Sequence, residues 1–587
     1  MAHKKVPIYA QTTGGLPPRI PAVQNDTARN IDFEIVDVDM STITSARIYV
    51  TKPDNTEVYN DCVITGNLVV APLSSQTLAV KGLAIGQLQL FGTEGLLSSF
   101  DFEIDIKKSR ADAGAIESSN EYTALAHLIV RAEELCTEFE EVKQKVNVLW
   151  DGSIRKYGCK KLASSSDPSM TRIWDAVGKS AAVETGNGPV HNDFDEIYPW
   201  SAIKVCNISV VDGAIVVNAY KGDVDFKSDG SNGQVAVEIP EFWSCPMEMD
   251  NDGYIYRGVS PMSIAGWHHF HKRYISAYNA VDDAGTKLKS VGGEVPLVNT
   301  SETSFRTKAR ATDSLCQLWD LEDYEAVCVL FDVEFATFNC QAIMRGACDM
   351  PYNADDQISA VTDTTHITVP AAVAAKYTDG QGISIGSSKN GTQRTAWVEI
   401  VSVDTTTGEI VLKEAVANMA VGDYLSTRTW ATGKADDIGV SGYFGTDGKT
   451  PCKYRGIENV YGNIYTWIDG FLQNDYQPYV CRDKSKFASS ITSDYEALAY
   501  TISATNGYGK TLGNDPLHPW AHVTKEIGGS ATTWLCDYYY QNTGLRALFA
   551  GGAWYYGSSV GLRCFYANYA PSGTSIYVGA RLSWKAV

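Results

Sequence analysis

The hydrophobic period of this chain changes in the middle of its first third, and that change constrains the fold more than any composition value. From Leu125 the apolar positions run Leu125, Leu128, Ala132, Leu135, Phe139, Val142, Val146 and Leu149, spaced three and four alternately without a break. This is the a/d seam of a coiled coil. Glu133, Glu134, Glu138, Glu140, Glu141, Lys143 and Lys145 fall off the seam and keep it solvated. A helix docked on its own domain, the alternative reading, usually carries a wider apolar stripe. The seam predicts an oligomerisation helix over 113–150 and a homo-oligomer; it does not fix the strand number, and a trimer is the first expectation.

On either side the period is two. Ile31, Phe33 and Ile35 in "NIDFEIVDV" share one face, as do Phe100, Phe102, Ile104 and Ile106 in "SFDFEIDI", and "ARIYVTKPDNTEVY" reads as two strands about a Pro-Asp-Asn turn. Alternation with turn residues every eight to twelve positions predicts a β-sandwich over 1–112. Beyond residue 150 short strands such as "GQVAVEIPEFW", "GYIYRGVS" and "KRYISAYNAV" alternate with loops. Two helices are predicted there, one capped by Ser301 and one carrying Tyr324, Val327, Cys328 and Phe331 at helical spacing. Residues 357–429 hold a run of hairpin-like strands with its own apolar set. They read as a β-rich insertion between a first part (151–356) and a second part (430–587) of one larger domain. The predicted class is therefore multidomain and mainly β.

The net charge of −20 argues against a nucleic-acid partner, which needs Lys and Arg against phosphate, and against an anionic membrane surface. No apolar run is long enough to span a bilayer, and "MAHKKVPIYAQTTGG" has no apolar segment of a secretory signal. The expectation is a protein made in a cytoplasm without membrane insertion. Its 13 cysteines form no C-x-x-C pair and read as reduced, mostly buried thiols.

Two C-terminal segments carry a resemblance. "YRGIENVYGNIYTWIDG" (454–470) resembles the core signature of the C-type-lectin-like fold shared by formylglycine-generating enzymes and the variable proteins of diversity-generating retroelements; Gly456, Glu458, Asn459, Gly462, Asn463, Trp467, Asp469 and Gly470 carry the match. "FAGGAWYYGSSVGLRCFYANYAPSGTSIYVGARLS" (549–583) is similar to that family's last segment, anchored here by Gly551, Gly552, Trp554, Gly557, Gly561, Leu562, Gly579 and Arg581. "SSDPSMTRIWDAVG" and "LWDLEDYEAVCVLFDVEFATFNCQAIMRG" look like parts of the fold seen in phage tail proteins of this kind. The N-terminal sandwich resembles the attachment domain of siphophage upper baseplate proteins. The residues explain part of the signature directly. Gly-Asn turns permit positive φ, Trp467 and Trp554 can nucleate a loop-rich core, and Glu458 and Asp469 are expected to accept backbone N–H groups that loops leave unpaired.

The chemistry expected of the chain is recognition. The thiol pair that formylglycine-generating enzymes place after the "GGS" turn falls at Tyr556 and Gly561, so that activity is not expected, and no nucleophile elbow or Walker loop appears. His268, His269 and His271 match no structural zinc spacing, and Pro519 separates His518 from His522. No metal and no cofactor is expected. The positions between the anchors, Tyr555, Tyr556, Ser558, Ser559, Phe565, Tyr566, Asn568, Tyr569, Thr574, Ser575 and Tyr577, have the composition of a paratope; packing inside a tyrosine-rich domain is the alternative. In the resembled family, retroelement mutagenesis substitutes residues in this region. The resemblance implies a phage tail-tip or baseplate receptor-binding protein located on the virion. It would attach to other tail or baseplate proteins through its N-terminal domain and to a host surface protein or glycan through its C-terminal face. A variable bacterial surface adhesin and a glycan-cleaving tail enzyme are the alternatives.

Overall fold

The computed structural model describes residues 2–8, 17–26, 29–36, 38–92, 95–108, 154–182, 191–352, 356–437 and 447–585. The heptad seam and the proposed oligomerisation segment 113–150 lie outside the described residues. The chain divides into two compact units, Met1–Thr137 and Glu138–Val587.

The first unit is the expected all-β layer. Its strands are β1 (Ala2–Ile8), β2 (Arg19–Val23), β3 (Arg29–Ile35), β4 (Ile43–Thr51), β5 (Glu57–Thr65), β6 (Leu68–Leu73), β7 (Gly82–Gly92) and β8 (Gly95–Lys107). They form one eight-stranded sheet in the order β1-β3-β6-β5-β4-β7-β8-β2. The sheet folds back on itself: the rings of Phe33 in β3 and Phe102 in β8, far apart in that order, have centroids 5.1 Å apart. Alternation decides what lies between. Ile31, Phe33, Ile35, Phe102, Ile104 and Ile106 are buried in one aliphatic core with Ile48, Val50 and Leu88. Asn55 closes the Pro-Asp-Asn turn at φ 65°, and Lys52 N–H donates across it to the Thr56 carbonyl (2.8 Å).

In the second unit, mainly short strands are joined by long loops. The strand Leu582–Trp584 inserts between Arg273–Ser276 and Cys316–Leu318, so the C-terminal residues complete a six-stranded sheet begun at Lys204–Val211. That pairing joins the two parts predicted to flank the insertion. The insertion has its own six-stranded sheet, from Ala360–Val361 to Tyr424–Thr427, and its own apolar cluster around Ile367, Ile383, Val398 and Ile410. A third sheet runs Glu496–Ala497, Gln477–Val480, Tyr465–Asn474, Leu545–Gly551, Gly561–Ala567, Tyr538–Gln541, Gly507–Leu512 and Thr524–Ile527, with Val578–Gly579 beside Tyr465–Asn474.

Both predicted helices form. Glu302–Thr312 is capped by Ser301, whose hydroxyl accepts from Ser304 N–H (3.2 Å). Leu321–Phe335 is capped by Asp320 in a reciprocal capping box with Asp323. This second helix is buried on nearly every face, including its acids Asp323, Glu325, Asp332 and Glu334. Four buried carboxylates on one helix require partners.

Candidate recognition face

For Glu325 and Asp332 the partners are arginines from distant strands. Arg257 on Tyr254–Ser260 and Arg563 on Gly561–Ala567 both hold Glu325 and Asp332: Arg257 Nε lies 2.9 Å from Asp332, Arg563 Nη1 2.7 Å from Glu325 and Arg563 Nη2 2.6 Å from Asp332, while Arg257 Nη2 also bonds Glu325. His522 Nδ1 adds a contact to Glu325 at 2.9 Å. Burial alone would push Glu325 up, but Arg257, Arg563 and His522 hold it well below the usual carboxylate range. This network fixes the strand Gly561–Ala567 on its helix. Sequence reading did not find it; the trace was there in Glu325 and Asp332, acids set among the apolar positions of the helix.

The residues predicted to be structural are buried or hold the turns around them. Glu458 is buried and accepts N–H groups from Gly433 (3.0 Å) and Ala435 (2.8 Å), as expected; burial pushes its carboxyl up to about 7. Asp469 accepts one backbone N–H, from Gly470 (2.8 Å), but its main partner is one that sequence reading missed, the guanidinium of Arg306 at 2.7–3.0 Å. Asn459 and Asn463 take φ of 48° and 56°. Arg581 is buried and donates to the carbonyls of Glu458 and Asn459. Trp467 and Trp554 are fully buried. Gly551 and Gly552 have φ of 96° and 83°, and a Cβ on Gly552 would stand 2.6 Å from Val560.

Around this frame the tyrosines make a connected surface. Tyr555 and Tyr556 are half-buried, their rings 4.2 Å apart, and Tyr555 hydroxyl donates to Tyr556 hydroxyl (2.8 Å). Tyr555 also meets Tyr577 (5.4 Å), and the hydroxyls of Tyr569 and Tyr577 are 3.0 Å apart. Burial pushes Tyr569 up to about 12. Tyr577 is pushed up by burial too, but hydrogen bonds from Tyr569, Ser575, Tyr555 and Tyr556 outweigh it and leave its phenol below the ordinary value. Ser558 and Thr574 are exposed; Ser559 and Asn568 are half-buried.

Three predicted contact residues do not belong to that surface. Phe565 and Tyr566 lie on Gly561–Ala567, which is paired on both edges and buried at every residue; Phe565 packs on Tyr324 (5.8 Å). Alternation between an inner and an outer face does not apply to a strand covered on both sides. Ser575 is buried in a turn whose carbonyl accepts from Asn299 N–H (2.8 Å). Conversely, four tyrosines join the face from elsewhere in the sequence. Tyr352 stacks on Tyr555 at 4.0 Å, Tyr508 hydroxyl lies 2.9 Å from Ser558 Oγ, Tyr538 meets Tyr508 at 5.3 Å, and the half-buried Tyr538 and Tyr540 both pack on the buried Tyr566 at 6.3 and 5.4 Å. The run of three tyrosines in "YYYQ" was the available signal for Tyr538 and Tyr540; Tyr352 and Tyr508 carried none.

The histidines are engaged in pairs. His268 Nε2 lies 3.0 Å from Glu322, and His269 Nε2 3.2 Å from Glu241. His518 contacts Asp515 and Glu496. Among the described residues no group of three or more His, Cys, Asp or Glu is placed to hold a metal ion. The described cysteines are free thiols, all buried except the half-buried Cys62. No helix among the described residues is long and apolar enough to cross a membrane.

Neither a protein-family model nor a curated protein sequence matches the chain. Among solved structures, part of the chain is similar to the "N-terminal domain of phage TP901-1 ORF48": 12% identity and a TM-score of 0.16 over 18% of this chain and 100% of that one.

Proposed function

We propose that this protein is a receptor-binding protein of a phage tail tip or baseplate, and that its tyrosine face contacts a host surface protein or glycan. The observation that carries the reading is the linked set Tyr352, Tyr508, Tyr538, Tyr540, Tyr555, Tyr556, Tyr569 and Tyr577, partly exposed on a scaffold whose anchors are buried. Tyrosine offers large contact area with few rotors to freeze, and Ser558 and Thr574 add adaptable hydrogen bonds. The scaffold is read as C-type-lectin-like from the segments 454–470 and 549–583, and the exposed positions as those a retroelement would diversify. The seam over 113–150 makes the chain a homo-oligomer, a trimer in this proposal, so that several weak contacts act together. The first unit attaches to neighbouring virion proteins. Binding requires no catalysis, cofactor or metal.

The test is a paired measurement on single alanine variants. Tyr555→Ala, Tyr556→Ala, Tyr569→Ala and Tyr577→Ala should each lose about 2 kcal/mol of cell binding, roughly thirtyfold at a dominant site, with small changes in melting temperature. Tyr566→Ala, a core position, should instead melt early. Normal adsorption to susceptible cells by all four surface variants would overturn the reading.

A further inference from the structure

The second unit has a cleft of ≈ 480 Å³ to which the tyrosine face makes no contribution. Lys161, from the strand Tyr157–Leu162, Lys510, from Gly507–Leu512, and Lys525, from Thr524–Ile527, line it. Lys161 is only 7% exposed, yet among the described residues none of the three lysines forms an ion pair. Glu248, on the rim, is exposed. Asp167, whose charge reaches Lys161, is exposed as well and accepts the N–H of Ser169 (2.9 Å). The near neighbours of the ammonium groups are rings. Lys161 Nζ stands 5.5 Å from the Trp534 centroid and 5.8 Å from Phe338, and Lys510 Nζ 5.1 Å from Trp534.

Rings stabilise an ammonium less than a carboxylate does, and burial of Lys161 holds its amine below the ordinary value. Two more groups in the cleft are unanswered. Thr511 Oγ1 and Asn514 Oδ1 are buried without a hydrogen-bond partner, a costly state unless a ligand completes them. Trp534 adopts φ 64°, a strained conformation for so bulky a residue, tied by its N–H to the Ser166 carbonyl (2.7 Å). The unmet groups define a ligand: an anion for the lysines, a hydroxyl donor for Asn514, a hydroxyl for Thr511, and an apolar ring face for the wall that includes Met247 and Leu535.

We propose that this cleft binds an acidic sugar unit, its carboxylate or phosphate between Lys161 and Lys510 and its hydroxyls on Asn514 and Thr511. The site is independent of the tyrosine face. Isothermal titration of the full chain with glucuronate, N-acetylneuraminate, glucose 1-phosphate and neutral glucose tests it and separates carboxylate from phosphate. At least one acidic sugar should bind at millimolar concentration or below, glucose should not, and added salt should weaken the complex. Lys161→Met should weaken binding at least about tenfold without lowering the melting temperature, because it removes a buried charge that nothing in the free protein pairs. Asn514→Asp, which places an internal carboxylate in the cleft, should also abolish binding and serves if Lys161→Met does not fold. No binding by any acidic sugar, equal binding of glucose, unchanged affinity in the Lys161→Met chain, or a lowered melting temperature that assigns the ammonium a structural role against Trp534 would overturn the proposal.

Discussion

The two units of this chain solve the same problem by different means. In the first, the buried residues are aliphatic apart from Phe33 and Phe102, and among the described residues only Asp32 and Thr77 are buried polar positions. Its strands pair mostly with strands near them in sequence. The second unit buries Arg257, Arg273, Arg306, Arg563 and Arg581 together with Glu302, Asp323, Glu325, Asp332 and Asp469. Its ties span long stretches of chain: Arg563 and Glu325 are 238 residues apart. A loop-rich domain has few long ladders to position its segments, and apolar contact alone has no direction. Bidentate ion pairs do have direction, at the cost of great sensitivity to losing one partner.

That contrast predicts the largest effect. Arg563→Ala leaves Glu325 and Asp332 buried with one guanidinium fewer and should destabilise the second unit by about 3–5 kcal/mol. In the first unit Leu88→Ala should cost about 2–5 kcal/mol through cavity formation, and only the transition of its own unit should move. Urea unfolding of the full chain, followed by probes in each unit, reads both. A cost below about 1 kcal/mol for Arg563→Ala would show that the network does not hold the second unit together.

The units should also answer pH differently. Glu458 has its carboxyl raised from the ordinary 4.5 to about 7 by burial. A raised acid contributes stability that is fully present below the unfolded pKa and is lost as pH rises through the folded one. The second unit should therefore weaken between pH 4.5 and 7, by up to about 3 kcal/mol from this group. Glu325 and Asp323, held low by their cationic partners, act in the opposite sense and lose their contribution as pH falls below the usual carboxylate range. Thermal melts across this range should show Glu458→Gln levelling the upper limb alone. An unchanged slope in that variant would reassign the dependence.

Legibility in the sequence followed the same division. Alternation at Ile31, Phe33 and Ile35, and at Phe102, Ile104 and Ile106, identified the buried face of the first unit because one face of each strand is solvated. Composition misled at Phe565 and Tyr566, because the residue types of a paratope also fill a central strand covered on both sides. Glycine and asparagine turns and the Ser301 cap were readable because their roles are local, and the buried tryptophans and Glu458 because the signature around them marks them. Arg306 on Asp469, and Arg257 with Arg563 on Glu325, were not, because a pairing across the fold leaves no spacing in the chain. Tyr352 and Tyr508 were missed for the same reason.

A smaller effect is expected from removing the insertion. Its ends meet, since Leu425 N–H donates to the Asp356 carbonyl (2.9 Å), so a short linker replacing 357–429 closes with little strain. The retained unit loses Lys434–Glu399 (2.8 Å) and the cover that Gly380 gives Trp430. The loss should be about 1–2 kcal/mol, with cooperative melting kept. An insoluble product would show that the insertion is part of the core rather than an addition to it.

The smallest stability effect and a large functional one should coincide at Tyr352. It is 40% exposed, and its ring stacks on Tyr555 with centroids 4.0 Å apart. Tyr352→Ala removes one stacked pair and little buried area, so it should cost about 1 kcal/mol of stability. Tyr352→Phe should cost less, because the stack survives. If Tyr352 belongs to the recognition face, Tyr352→Ala should reduce adsorption as strongly as Tyr555→Ala, and the double variant should lose less than the sum of the two, since one ring supports the other. Additive losses would mean that the two tyrosines touch the receptor independently. Loss of stability on the scale of Tyr566→Ala, with adsorption intact, would move Tyr352 from the face to the scaffold and remove it from the proposed surface.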